Sequence, residues 1–373
     1  MIKEQKTYFA FARKRIVSLS KRIVGKFAYR ICSFITRQDK LLLYSASPND
    51  SFGNIEALAR WFEAHGVEYI KTSQAEMIQS PIRFFSQLAK ARILIIDAGS
   101  PAARVKLTPR TILIHCWHAG GAYKKIGFDA KRKGFDERKE ETRIKRIHRN
   151  IAYMVCTSRH TAEIYAKAFH LQKEQMLTFG LPRLDGCLKQ ESPPTPSPQT
   201  ILYAPTYRTN ARGQRNLPQV LNMQLLRARL AVTGENLRFA FRGHPTLSSS
   251  QIEGWEDWSA IPQDEALQKT TVLITDYSSV FFDFLPYRRP IVFYVPDMED
   301  YQIHERELYF SPYDEFPDTT CGDMESLVRI IRTCKDESVD YSRFWNTYMD
   351  ACDGSSTERL CSFVLEKLKG SMI

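Results

Sequence analysis

The 373-residue chain contains no charge-free apolar run long enough to cross a bilayer. Its amino-terminal apolar stretch is broken by Lys21, Arg22, Lys26 and Arg30, which leaves no signal-peptide core and predicts that the protein stays in the cytoplasm. Eight cysteines are scattered with no Cys-x-x-Cys pair and no Cys/His cluster at zinc spacing, which removes a structural metal; reduced, mostly buried thiols are expected. No repeat of fixed period occurs. Only residues 191–199, with Pro193, Pro194, Pro196 and Pro198, are low in complexity. The aromatics sit inside apolar runs and do not punctuate the basic stretches as stacking platforms would, so no nucleic-acid partner is expected.

What is present is localised charge. The net charge is +11, yet residues 1–40 carry +9 and residues 124–149 carry +6, so the rest of the chain is close to −4. Basicity confined in this way implies an anionic partner for particular surfaces. Ile16, Leu19, Ile23, Phe27, Ile31 and Phe34 share one helical face, with Lys and Arg opposite and along its flanks. Two arrangements fit: a helix lying in the headgroups of an anionic leaflet, and a helix packed on the first lobe with its basic face in water. The first is carried forward, as peripheral association with the cytoplasmic membrane surface. Residues 131–149 read as a solvated helix with Glu/Lys pairs at helical spacing.

Short apolar runs, among them 41–44, 93–96, 112–114, 201–203, 239–241, 272–274 and 291–294, alternate with helix-like stretches. That alternation predicts an α/β fold with parallel sheets covered on both faces. The expected division is a basic amphipathic helix over 1–37, a first lobe over 38–190, a proline-rich linker over 191–199 and a second lobe over 200–373. Three strand ends stand out. One run leads through Asp276 and Tyr277 into Ser278 and Ser279 and then an apolar helix-like segment ending in Asp283-Phe284, an arrangement suited to phosphate oxygens and equally to a helix cap. The other two end at His118, before the glycine-rich Ala119-Gly120-Gly121, and at His244, fixed by Pro245. Ligands of open parallel sheets bind beyond the carboxyl ends of strands, so these groups are expected to share a crevice.

Together these segments resemble the bacterial CDP-glycerol glycerophosphotransferase family, the teichoic-acid primases and polymerases and their capsule relatives. The resemblance runs from Ile112 to Leu368 and rests on Trp117-His118 followed by Lys124-Lys125-Ile126-Gly127, Thr157-Ser158, Gly180-Leu181-Pro182-Arg183-Leu184-Asp185, Tyr203-Ala204-Pro205-Thr206-Tyr207-Arg208, Arg242-Gly243-His244-Pro245, Leu273 through Ser279, and Asp353-Gly354 with Arg359. In one place the chain departs from the family: five residues separate His118 from Lys124 where relatives often have four.

The resemblance implies a GT-B-like architecture of two Rossmann-like lobes with an interlobe cleft, and transfer of glycerol phosphate or another polyol phosphate from a CDP-activated donor, CDP-glycerol or CDP-ribitol, to a hydroxyl on a membrane-linked or glycan acceptor. No cofactor or metal is expected. His118 is the expected base. His244, Ser278, Ser279, Thr206, Arg208, Asp276 and Arg359 are expected around the donor, and Lys124, Lys125 and Gly120 on the acceptor side. A sugar-nucleotide glycosyltransferase of the same two-lobed shape is the competing enzyme class.

Overall fold

The computed structural model describes residues 23–46, 53–98, 105–130, 136–190, 196, 198–210, 215–231, 236–243, 252–335 and 338–370. The fold is α/β, with two compact units that each contain a parallel sheet. The first unit comprises residues up to 118, residues 141–155 and the segment from 357 onward; the second comprises 119–140 and 156–356. The units therefore do not part at 191–199. Proline-rich composition marks a stiff segment, whereas packing decides membership, and packing places 119–140 and 156–190 with the second unit and the last helix with the first. Residues 1–22 and most of 191–199 lie outside the described residues.

In the first unit, a helix over 23–35 (α1) precedes β1 (Lys40–Ser45), α2 (Asn54–Ala64), β2 (Ile70–Ser73), α3 (Gln74–Gln79), α4 (Pro81–Ala89), β3 (Ala91–Ile96), β4 (Ile112–His115), α5 (Glu137–His148) and β5 (Ile151–Val155). The strands run parallel in the order β2-β1-β3-β4-β5. Leu42, Leu43, Ile93, Leu94, Ile95, Leu113 and Ile114 are fully buried, as near-continuous apolar strands require when both sheet faces are covered. α5 buries only Ile144 and carries the Glu141–Lys145 pair at 2.7 Å, the solvated helix expected from its charge pattern.

The second unit contains α6 (Arg159–Phe169), β6 (Met176–Leu177), α7 (Asp185–Leu188), β7 (Thr200–Tyr203), β8 (Arg208–Thr209), β9 (Arg215–Asn216), α8 (Met223–Ala231), β10 (Arg238–Phe241), β11 (Glu256–Asp257), α9 (Gln263–Gln268), β12 (Val272–Thr275), α10 (Val280–Phe284), β13 (Ile291–Tyr294), α11 (Met298–His304), α12 (Pro312–Glu315), β14 (Thr320–Cys321), α13 (Met324–Cys334) and α14 (Ser342–Tyr348); α15 (Ser356–Lys369) follows. Its sheet has the order β11-β10-β7-β12-β13-β14, and every pairing is parallel. Ser158 starts α6 by accepting the Thr161 N–H at 2.9 Å, so Thr157-Ser158 acts here as a helix cap. One face of the sheet is closed by a core that includes Leu226, Leu230, Trp255, Leu327 and Ile331. Because β10, β7, β12 and β13 are parallel neighbours, the loops leaving their carboxyl ends emerge along one edge.

Candidate active site

The site in the second unit is assembled on that edge. Asp276, the residue after β12, is 1 % exposed; its Oδ1 accepts the backbone N–H of Thr206 at 2.7 Å and that of Tyr277 at 2.5 Å. Thr206 follows β7, the strand paired with β12, so the carboxylate ties two adjacent strand ends together. Burial pushes the Asp276 carboxyl up, against the opposing pull of Arg208 and the Thr206 amide.

Arg208 is committed to protein partners. Its Nε and Nη2 donate to Asp297 at 2.9 and 3.2 Å, and its Nη1 donates to the Thr206 carbonyl at 2.8 Å and lies 3.0 Å from Asp276 Oδ2. The guanidinium also faces the rings of Tyr277 and Tyr301, which stack on each other. Burial alone would lower its pKa, yet the two carboxylates raise it above the usual arginine range. Arg208, expected around the donor, thus ties together the loops after β7, β12 and β13. Asp297 was not singled out in the sequence, although it follows β13 as Asp276 follows β12.

The groups left open surround this tie. Thr206 Oγ1 is buried and has no hydrogen-bond partner among the described residues. Ser279 sits at the cap position of α10 but its hydroxyl makes no cap bond, and Ser278 Oγ accepts the Val280 N–H only at 3.4 Å. Plain helix capping accounts poorly for two adjacent hydroxyls used so little. Lys124, expected on the acceptor side, belongs to this cluster: burial and the nearby Arg306 guanidinium lower its pKa to about 8, with Asp276 and Glu305 opposing and Arg208 assisting. Among the described residues neither Lys124 nor Arg306 forms an ion pair, whereas the neighbouring carboxylates are engaged, Glu307 by Lys125 and Glu305 by the Thr209 N–H and hydroxyl. Sequence reading missed Arg306 because it lies outside every recognised motif.

Residues 119–127 are bound tightly to the same elements. A Cβ on Gly120 would lie 2.5 Å from Phe282 Cβ, and one on Gly121, whose φ is +53°, would lie 2.1 Å from the Phe282 ring. Gly120 is therefore buried against α10, where only hydrogen fits. The Tyr123 ring meets Phe281 edge-on at 5.3 Å, and its hydroxyl donates to the Asp276 carbonyl at 3.2 Å. A backbone bridge between Lys124 and Leu308 brings in the Arg306 segment.

Other expected residues fall elsewhere. His244 and Pro245 lie outside the described residues. Arg359 is half-buried on α15, in the first unit. Asp283 is buried with Arg183, whose Nη2 donates to it at 2.7 Å, and it accepts from Gln263 Nε2 at 2.6 Å; this pair locks the Gly180–Asp185 motif to α10. His118 stands exposed beyond β4 in the first unit.

The profile of the family described as CDP-glycerol:poly(glycerophosphate) glycerophosphotransferase matches residues 53–366. The chain is 30% identical over 299 residues to a teichoic acid ribitol-phosphate primase of Bacillus spizizenii, covering 74% of this chain and 75% of the relative. It is 30% identical over 300 residues to a teichoic acid glycerol-phosphate primase of the same organism, covering 76% of each. A poly(ribitol-phosphate) polymerase from that organism aligns at 26% identity with 90% of this chain, which spans 57% of that longer relative. The solved structure of the wall teichoic acid polymerase TagF superposes with a TM-score of 0.76 at 18% identity over 99% of both chains, a likeness of fold.

Proposed function

The chain belongs to the CDP-glycerol:poly(glycerophosphate) glycerophosphotransferase family, and from that premise we propose that it transfers a polyol phosphate from a CDP carrier to a hydroxyl of a cell-wall polymer precursor. The acceptor oxygen attacks the phosphorus bearing the polyol, the bridging P–O bond breaks, CMP leaves, and His118 takes the hydroxyl proton. Ser278, Ser279, Thr206 and Lys124 hold the donor diphosphate, joined by His244; Arg208 and Asp276 fix the loops from which they project. The observation that carries this reading is the group of hydroxyls and cations left open, among the described residues, around the Asp276–Arg208 tie. Incubation with CDP-glycerol, CDP-ribitol and UDP-sugars tests it: CMP release from a CDP-polyol is expected, and UDP release alone would overturn it in favour of a glycosyltransferase.

Lys124 gives this reading a pH signature. Its ammonium persists below about 8 and is lost above. The diphosphate keeps its charge across that range, so the donor KM rises as pH passes from about 7 to about 9. Lys124→Met raises KM below about 8 to the level that the parent reaches above it, and removes the inflection. A wild-type KM flat between those limits would count against a role for Lys124.

The acceptor-bearing substrate and the membrane surface meet the enzyme, on this reading, through α1. Ile23, Val24, Phe27, Ile31, Phe34 and Ile35 are exposed on it, Phe34 by 85 %, while Gly25 and Tyr29 face inward. Gly25 seats the helix on α4, since a Cβ there would lie 2.4 Å from the Phe85 ring, and Ile78 on α3 and Ile82 on α4 are exposed as well. Exposed Lys26 and Arg30 flank it. Among the described residues no helix is long and apolar enough to cross a membrane. Lying in the headgroups of the cytoplasmic leaflet suits this distribution. Phe27→Glu with Phe34→Glu should weaken binding to anionic vesicles on the order of 100-fold, and unchanged co-sedimentation would refute membrane docking by this face.

A further inference from the structure

The backbone that leads into His118 is held in an uncommon conformation. Trp117 has a φ of +58°, in the left-handed region, where a bulky L-residue is strained. Two buried side chains hold it there. The Trp117 N–H donates to His115 Nδ1 at 2.9 Å, and the Trp117 carbonyl accepts from Asn54 Nδ2 at 2.9 Å. Asn54 opens α2 and is 1 % exposed; His115 closes β4 and is 3 % exposed.

The two contacts act on different bonds. The Trp117 carbonyl belongs to the peptide plane whose nitrogen is that of His118, so Asn54 sets the orientation of the bond entering His118. His115 fixes the preceding plane. Burial, reinforced by His148 and His118, lowers the His115 pKa to about 3, so its ring is neutral at ordinary pH. With Nδ1 accepting, its proton resides on Nε2. Relaxation of Trp117 to negative φ would break both bonds and swing the His118 Cα–Cβ direction.

We propose that Asn54 and His115 are positioning residues for His118, locking the left-handed turn at Trp117 so that the exposed imidazole points in one direction. This rests on the reading of His118 as the base. A misplacement of about 1 Å at a reacting group costs on the order of 100-fold in rate. Loss of either anchor therefore lowers kcat while the donor KM, set in the second unit, changes little.

Asn54→Ala, His115→Phe, His115→Asn and His118→Ala would be assayed for CMP release from CDP-glycerol, with circular dichroism to confirm folding. Asn54→Ala and His115→Phe are expected to lose about 10–100-fold in kcat with KM within about threefold. His115→Asn, whose amide oxygen can accept the Trp117 N–H, should recover much of that loss. Folded Asn54→Ala and His115→Phe proteins with kcat within twofold of the parent, beside an inactive His118→Ala, would overturn the positioning role and leave the base intact. Full activity in His118→Ala would remove the base itself. Should Asn54→Ala fail to fold, the His115 pair decides, because equal kcat for Phe and Asn at that position overturns the inference.

Discussion

CMP release by His118→Ala is expected to fall ~10²–10⁴-fold, the range that a positioned acid–base group supplies. An alcohol is a poor nucleophile at neutral pH, and without an acceptor for its proton the attack must build up alkoxide character unaided. The substitution should leave the fold unchanged, since His118 is exposed and its neighbours His115 and Trp117 keep their bonds to each other. The donor KM should hold because Ser278, Ser279, Thr206 and Lys124, the groups proposed to hold the diphosphate, stand in the other unit. Steady-state kinetics with CDP-glycerol and an acceptor-bearing substrate measure both quantities. A loss below tenfold would move the base elsewhere, with His244 the first residue to test.

Asp276→Ala carries the second large effect, and it acts on stability and activity together. The substitution removes the acceptor of two backbone N–H groups and one of the two carboxylates beside Arg208. Breaking a buried ion pair from one side typically costs ~3–5 kcal/mol, because the remaining charge and donors stay desolvated. Asp297 still holds Arg208, so the lower end of that range applies. The loop bearing Thr206 loses its anchor at the same time, and donor binding should weaken well beyond what Thr206→Val causes. Denaturant unfolding reports the first effect and donor KM the second. A folded protein of unchanged stability and KM would mean that the tie between strand ends is dispensable.

Much of the architecture could be read from the residues, because parallel strands buried on both faces leave uninterrupted apolar runs such as Val272, Leu273 and Ile274, and those runs announce themselves without tertiary information. That Asp276, Ser278 and Ser279 follow a buried strand was legible for the same reason, whereas Thr206 entered only through the family resemblance. Roles that depend on which partner a side chain finds were less legible. Arg208 and a free phosphate-binding arginine have the same local sequence; only the approach of Asp297, 89 residues away, separates them. Lys124 was expected with Lys125 on the acceptor side, yet the bridge to Leu308 puts the two lysines in different surroundings, one with Glu307 and one beside Arg306. Unit membership was hidden for a similar reason, since nothing in the composition of 119–127 reveals that Gly120 and Gly121 receive Phe282.

The return of the last helix to the first unit has a consequence for biogenesis. Within that unit Trp61 Nε1 donates to Glu358 at 2.7 Å, Phe363 meets the Tyr153 ring edge-on at 4.9 Å, and Lys367 lies over the same tyrosine. Chains emerge from the ribosome amino-terminus first. Trp61 and Tyr153 must therefore wait for α15 before their packing is complete, and a nascent chain arrested between β5 and α15 would expose an unfinished surface to chaperones and proteases.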